Sequence, residues 1–124
     1  MGLEIGKMTV MPVPFYWKIT CHTCRVTKTN LEKVGAQIQP IDIMTNPPSK
    51  KTLTMLVKKY GAKSMIRRNS KDYRALGVGK MKLNEEETVN LLHDHPDLAN
   101  RPIVLVNGQP YLSRDPEFQK LKLI

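Results

Sequence analysis

The chain has 124 residues, a length that suits one domain built around a single hydrophobic core. Its two cysteines are too few for the disulfide framework of a small secreted protein, so they indicate catalytic, redox-sensing or metal-binding thiols instead. The formal charge of +9 is dispersed over short pairs rather than gathered in a basic tract, which argues against nucleic acid and favours a small anion as ligand.

No apolar run approaches the roughly 20 residues of a membrane-spanning helix, and the N-terminus lacks the apolar segment of a secretion signal. We therefore expect a cytoplasmic protein with no membrane partner. Residues 1–10 are predicted to form a flexible N-terminal arm, and residues 11–124 to form one domain.

The first third of the chain alternates between strand and helix signals. Prolines keep the segment after Met11 extended, leading into a strand that continues through Ile19. A helix is predicted from about Thr23 to Val34, with Leu31 and Val34 on its core-facing side. A second strand is predicted between Gln37 and Met44 because apolar and polar residues alternate there.

The middle of the chain reads as helical. Ser49, after two prolines, is predicted to cap a helix over Lys50–Tyr60. A polar, basic segment follows, and then a short helical turn around Tyr73 to Leu76. Asn84 and Glu87 have the spacing of a capping box, which predicts a helix through about His93.

The last third predicts a hairpin and a final helix. The composition of Arg101–Val106 is that of a buried strand, and Asn107-Gly108 is the strongest hairpin signal in the chain, a type I′ turn leading into Gln109–Leu112. Asp115 is predicted to cap a helix that begins at Pro116. This element order predicts an α/β, thioredoxin-like fold, a mixed four-stranded sheet with flanking helices and a helical insertion at about 46–98.

Cys21 and Cys24 lie where the first strand gives way to the first helix. A helix N-terminus favours negative charge, so a thiol there ionises more easily and becomes nucleophilic. The second cysteine lies one helical turn away, where a disulfide is geometrically possible. A zinc site needs two further ligands, and His22, His93 and His95 lack suitable spacing, so no metal is expected.

Several motifs in order resemble the arsenate reductases of the glutaredoxin-coupled type (the ArsC family), which are related to the Spx-type redox regulators. The resemblance runs from about Phe15 to the C-terminus. Its motifs are Cys21-x-x-Cys24-Arg25, Asn46-Pro47-Pro48-Ser49, Ile66-Arg67-Arg68-Asn69, His95-Pro96, Asn100-Arg101-Pro102-Ile103-Val104 and Ser113-Arg114-Asp115-Pro116.

The resemblance implies a site in which the Cys21 thiolate attacks arsenate or a similar oxyanion. The residues that it assigns to substrate binding are Arg67, Arg101, Arg114, Thr20 and Arg25, with backbone N–H groups of residues 20–24 completing the cradle. Arginine suits this role because its planar fork binds oxyanions bidentately. The resemblance also implies a cis peptide bond before Pro102, no tightly bound cofactor, and reduction by glutathione and glutaredoxin.

Cys24 stands where typical members carry serine, and it leaves alternatives open. As a resolving cysteine it would make the protein dependent on thioredoxin. A non-enzymatic Spx-type regulator would use a Cys21–Cys24 disulfide as a switch and bind RNA polymerase. A thiol reductase acting on another substrate is a third possibility. The arginine motifs favour the enzyme, because a switch does not need them.

Overall fold

The computed structural model describes residues 12–121, and the predicted arm at residues 1–10 lies outside them. The described strands are β1 (Val13–Trp17), β2 (Ile38–Asp42), β3 (Ile103–Val106) and β4 (Gln109–Leu112). The described α-helices are α1 (His22–Lys33), α2 (Lys50–Tyr60), α3 (Ala62–Met65), α4 (Lys71–Ala75), α5 (Glu85–Asp94) and α6 (Pro116–Lys120). Short 3₁₀ turns cover Val78–Lys80 and Pro96–Leu98.

The strands form one sheet in the spatial order β2-β1-β3-β4. β1 runs parallel to β2, while β1 with β3 and β3 with β4 are antiparallel. The predicted type I′ hairpin is confirmed, because Asn107 and Gly108 both have positive φ, at 51° and 79°. The predicted mixed four-stranded sheet with flanking helices is therefore confirmed.

Side-chain alternation along the strands builds two apolar layers. Phe15 and Val104 point to one face, where they pack with Phe118 of α6 and the half-buried Leu31 of α1. Ile103, next to Val104 in β3, points to the other face. There the larger cluster contains Ile103 and Leu112 of the sheet with Leu53, Leu56 and Leu92 of α2 and α5.

The junction between β1 and α1 is tighter than the sequence predicts. β1 ends at Trp17 rather than Ile19, because the chain turns and the Cys21 N–H donates to the Lys18 carbonyl at 2.9 Å. Ile19 is therefore 68% exposed instead of pairing in the sheet. α1 begins at His22, one residue before the predicted start.

The assignment of Val34 to the core is wrong. Val34 is the C-cap of α1 and is 58% exposed, because the helix ends there and the chain turns toward β2. Cys24 is the only buried residue of α1. The inner face of this helix therefore packs through the Cys24 thiol and the partly buried Leu31.

Local capping signals specify the helices between β2 and β3. Ser49 accepts a hydrogen bond from the Thr52 N–H at 3.1 Å, and Asn84 and Glu87 form the predicted reciprocal capping box. α3, which the sequence does not predict, begins just before the polar, basic segment and packs into the core through the fully buried Met65. α4 begins at Lys71, earlier than predicted, because Ser70 caps it.

Candidate active site

Cys21 is the N-cap of α1, and its thiol is the starting point for describing the candidate site. Its Sγ accepts a hydrogen bond from the Cys24 N–H at 3.4 Å, satisfying one of the free donors at the helix start. Cys21 is partly exposed, whereas Cys24, one turn later, is fully buried. The two thiols therefore differ in access.

The two thiols also differ in acidity. Burial acts to raise the pKa of Cys21, but hydrogen bonds from the Cys24 side chain and backbone and the charge of Arg101 outweigh it, so this pKa lies below its ordinary value. Burial raises the pKa of Cys24 to about 12, and the neighbouring Cys21 sulfur adds to this effect. Cys21 is therefore the more acidic of the two thiols, and Cys24 stays protonated near neutral pH.

A cavity of about 210 Å³ opens beside Cys21. The structure brings Arg67, Arg101 and Arg114 to its wall from three separate segments of the chain. Pro102, whose peptide bond with Arg101 is cis, also lines it. The remaining lining residues are Thr23, Asn69, Asn100, Leu112 and Ser113.

Backbone hydrogen bonds join the segments that carry these arginines. The Arg67 N–H donates to the Leu98 carbonyl at 2.7 Å, and the Asn100 N–H donates to the Met65 carbonyl at 2.8 Å. The carbonyl of Ser64 then accepts from the side chains of both Asn100 and Arg114. Arg67 and Arg114 are consequently held at the same cavity although 46 residues separate them in sequence.

Arg101 has a different environment from the other two arginines. Its side chain is only 2% exposed, and its Nη2 lies 3.5 Å from Asp97 Oδ1. Its Nη1 donates to the Asp97 carbonyl at 3.1 Å, while its Nε has no hydrogen-bond partner among the described residues. In residues 12–121, by contrast, neither Arg67 nor Arg114 is within ion-pair distance of a carboxylate.

Asp97 is the centre of a small charged network behind the cavity. Its Oδ1 accepts a hydrogen bond from Lys18 Nζ at 3.0 Å, which joins the β1–α1 turn to the chain before β3. Burial acts to raise the pKa of Asp97, but Lys18 and Arg101 outweigh burial and hold this pKa below its ordinary value. The ionised Asp97 carboxylate therefore holds the side chains of Lys18 and Arg101 in place.

The structure does not bring Thr20 and Arg25 to the cavity. Thr20 lies exposed in the turn before Cys21. Arg25 is exposed on the outer side of α1, because it is rotated by about 100° from the buried Cys24 next to it. Their predicted contact with substrate is thus not supported by their placement.

The predicted backbone cradle is also partly occupied. The Cys21 N–H already donates to Lys18, and the Cys24 N–H donates to the Cys21 sulfur. These two groups of residues 20–24 are therefore committed to the turn and the helix cap, not directed toward the cavity.

Sequence reasoning missed Asp97 as a site residue, and it quoted Asn69 and Asn100 only as parts of motifs. The Asp97–Arg101 pair has the i, i+4 spacing that places charged side chains together on a helical turn, and this signal was present in the sequence. Asn69 and Asn100 had no such signal, because only the pairing of their segments places them at the cavity.

Two features are absent from residues 12–121. These residues contain no group of three His, Cys, Asp or Glu side chains arranged to hold a metal ion. None of their helices has the length and apolar character needed to cross a membrane.

The chain is similar to proteins of one family. A model of the ArsC family matches residues 16–120. An arsenate reductase of Acidiphilium multivorum is 30% identical over 95 residues, 75% of this chain and 67% of that protein. The uncharacterized protein YusI of Bacillus subtilis is 38% identical over 98 residues, 75% of this chain and 82% of that protein. The solved arsenate reductase from Vibrio cholerae superposes with a TM-score of 0.74 at 31% identity, over 94% of this chain and 100% of that one.

Proposed function

The chain belongs to the ArsC family, and from this membership we propose that it is a thiol oxidoreductase that reduces arsenate or a similar small oxyanion. The observation that carries the proposal is the shared cavity of Cys21, Arg67 and Arg114. A thiolate and an oxyanion repel each other, and cations beside both reduce that repulsion. Arg67 and Arg114 are suited to bind the oxyanion because no carboxylate of the described residues lies within ion-pair distance of either, although the charge of Arg67 also acts on Asp97.

Arg101 acts differently in this proposal. Asp97 holds its guanidinium in a buried position, from which its charge lowers the pKa of Cys21. We assign Arg101 the task of maintaining the Cys21 thiolate, and Arg67 and Arg114 the task of binding substrate.

The first chemical step forms a covalent adduct. The Cys21 thiolate attacks arsenic, a sulfur–arsenic bond forms, and one arsenic–oxygen bond breaks as an arsenate hydroxyl takes up a proton from solvent and leaves as water. Arsenic remains As(V) in this adduct. A second thiolate then attacks the Cys21 sulfur, the sulfur–arsenic bond breaks, and its electron pair stays with arsenic. The products are As(III) and a disulfide that contains Cys21.

The accessibility of the thiols favours an external second thiol. Cys24 is fully buried and its pKa is about 12, so it offers little thiolate near neutral pH. We therefore propose that glutathione attacks the adduct and that glutaredoxin then reduces the mixed disulfide. Both cysteines are free thiols, which fits chemistry in the reducing cytoplasm.

A second route, in which Cys24 attacks the adduct on Cys21, is supported by two observations. Cys24 lies one turn from Cys21, and its N–H contacts the Cys21 sulfur, so an internal disulfide recycled by thioredoxin requires only a local movement. The same disulfide could serve an Spx-type switch that acts on RNA polymerase. That switch leaves the arginine-lined cavity without a role, so the enzyme is the stronger proposal.

Arsenate-dependent oxidation of a thiol donor tests the enzyme directly. Purified protein should turn over with the glutathione and glutaredoxin system, and Cys21→Ser should abolish turnover because no nucleophile remains. Arg67→Ala and Arg114→Ala should each lower kcat/KM by about tenfold or more, the usual effect of losing a charged hydrogen bond. Lys58→Ala, an exposed position remote from the cavity, should behave like the wild type. Absence of turnover with both the glutaredoxin and the thioredoxin systems would refute the proposal.

Mass spectrometry after a single turnover separates the two reductants. A glutathione adduct on Cys21 is the result expected here. A Cys21–Cys24 disulfide would instead assign the second step to Cys24 and thioredoxin.

A further inference from the structure

The cavity at Cys21 continues into a groove along the helical segment between β2 and β3. It shares part of its wall with a cavity of about 350 Å³, which in turn adjoins one of about 600 Å³. We call these two outer cavities together the insertion groove. The residues common to the Cys21 cavity and the groove are Arg67, Asn69, Asn100 and Arg114. A ligand in the groove would thus lie directly beside the cavity that holds Cys21.

The groove carries more positive charge than oxyanion reduction needs. Lys63 and Arg68 line its 350 Å³ part but not the cavity at Cys21. No Asp or Glu lines that part, and within residues 12–121 neither cation is in ion-pair distance of a carboxylate. Lys63 and Arg68 therefore present unneutralised charge at a distance from the reacting sulfur.

The outer part of the groove is less polar. Ile66, Val78, Met81 and Leu83 contribute apolar surface there, and Lys63 and Arg68 form part of the same wall. Cavities of about 300–1,000 Å³ suit small organic ligands rather than inorganic ions. The lining thus fits an organic molecule with carboxylate groups.

We infer that the insertion groove binds the thiol reductant, as a small peptide-like thiol whose carboxylates lie on Lys63 and Arg68 while its sulfur reaches Cys21. This inference rests on the proposed function, because it locates the second substrate of that reaction. A tripeptide such as glutathione spans about 10 Å at roughly 3.5 Å per residue, which is a suitable length for contacting two adjoining cavities.

Thiol–disulfide exchange tests the groove without any arsenic chemistry. The Cys21 thiolate attacks one sulfur of oxidised glutathione, the original disulfide bond breaks, a mixed disulfide forms on Cys21, and one glutathione thiolate leaves. Hydroxyethyl disulfide undergoes the same exchange but carries no charge. The ratio of the two rate constants therefore measures recognition of the carboxylates, and the neutral reagent monitors the integrity of Cys21.

The variant to compare is Lys63→Ala combined with Arg68→Ala, with mass spectrometry following adduct formation. Its rate with oxidised glutathione should fall by roughly fivefold to tenfold, the size expected for two exposed ion pairs, while its rate with hydroxyethyl disulfide stays unchanged. The control combines Lys50→Ala with Lys51→Ala, which removes the same net charge from the exposed start of α2. The control should preserve both rates.

Three outcomes would overturn the inference: no change in the double variant, an equal loss with both disulfides, or an equal loss in the charge-matched control. Failure of the proposed function looks different. In that case arsenate gives no turnover with any thiol, while the preference of Cys21 for oxidised glutathione still depends on Lys63 and Arg68.

Discussion

At the scale of single residues, the site divides one task between two unequal cysteines. Cys21 is partly exposed and its pKa is lowered, whereas Cys24 is buried and its pKa is raised. Their neighbourhood explains the division, because the Cys24 N–H donates to the Cys21 sulfur, and this bond and the Cys24 side chain both lower the pKa of Cys21. Cys24 thus has a function in the resting protein whether or not it later forms a disulfide.

Replacing Cys24 tests this function. Cys24→Ala removes the side-chain donor, so the pKa of Cys21 should rise, and alkylation of Cys21 by iodoacetamide should require a higher pH. At pH 7 the alkylation rate should fall by roughly threefold, as expected for losing one weak hydrogen bond to a charged group. Cys24→Ser retains a hydroxyl donor and should stay closer to the wild type. Identical pH profiles for the alanine variant and the wild type would contradict this account.

Asp97 gives a second prediction at the same scale. Its pKa in the folded state is held below the value of about 3.9 found in unfolded chains, so the carboxylate stabilises the fold above that pH. This stabilisation is lost as the pH falls through the folded-state pKa. Asp97→Asn should therefore lower the free energy of unfolding by about 1–2 kcal/mol at pH 7, because Lys18 and Arg101 lose their anion.

Urea denaturation at pH 7, 4 and 3 measures this effect, because the stabilisation is lost only below about pH 3.9. The difference between Asp97→Asn and the wild type should shrink toward the acid end of the series. Asp94→Asn changes an exposed carboxylate and serves as the control, with a difference near zero throughout. A difference for Asp97→Asn that does not vary with pH would point to lost packing instead of lost charge.

At the scale of elements, Tyr60 connects α2 to the end of the hairpin. Its hydroxyl donates to Asp115 Oδ2 at 2.5 Å and accepts from the Leu112 N–H at 3.1 Å. Asp115 in turn caps α6 through the Glu117 N–H. One side chain thus ties a helix, a strand and the next helix start together, close to Arg114.

Removing that hydroxyl should loosen the junction. Tyr60→Phe leaves the Leu112 N–H without its partner and should lower the free energy of unfolding by about 1–2 kcal/mol. Tyr73→Phe is the matched control, since the Tyr73 hydroxyl lies beside Gly79 at a cavity wall instead of joining two elements. Chemical denaturation measures the free energy of unfolding of both variants. An equal decrease in the two would contradict the view that the Tyr60 hydroxyl joins α2 to the hairpin.

At the scale of the whole molecule, the features predictable from sequence are those with local causes. Ser49, Asn84 and Asp115 act within one helical turn, and Asn107-Gly108 sets a hairpin by its own backbone preference. These signals need no distant partner, which is why the strands and most helix limits were predictable.

Other features depend on contacts that the sequence does not reveal. The start of α3 depends on burying Met65 against distant residues, and Val34 is exposed because the path of the chain changes there. The convergence of Arg67, Arg101 and Arg114 was available only through family resemblance, because it arises from pairing between segments far apart in sequence. Their roles toward a substrate stay predictions.

The capping bond between the Cys24 N–H and the Cys21 sulfur has a consequence for how turnover affects the fold. In the proposed reaction, each covalent intermediate replaces the Cys21 thiolate with a neutral, crowded sulfur, so we expect the first turn of α1 to lose hydrogen-bond strength while Cys21 is covalently occupied. In that reaction the bond is restored only when the disulfide that contains Cys21 has been reduced. The start of α1 is therefore expected to be better ordered in the free protein than in a form whose Cys21 is covalently occupied.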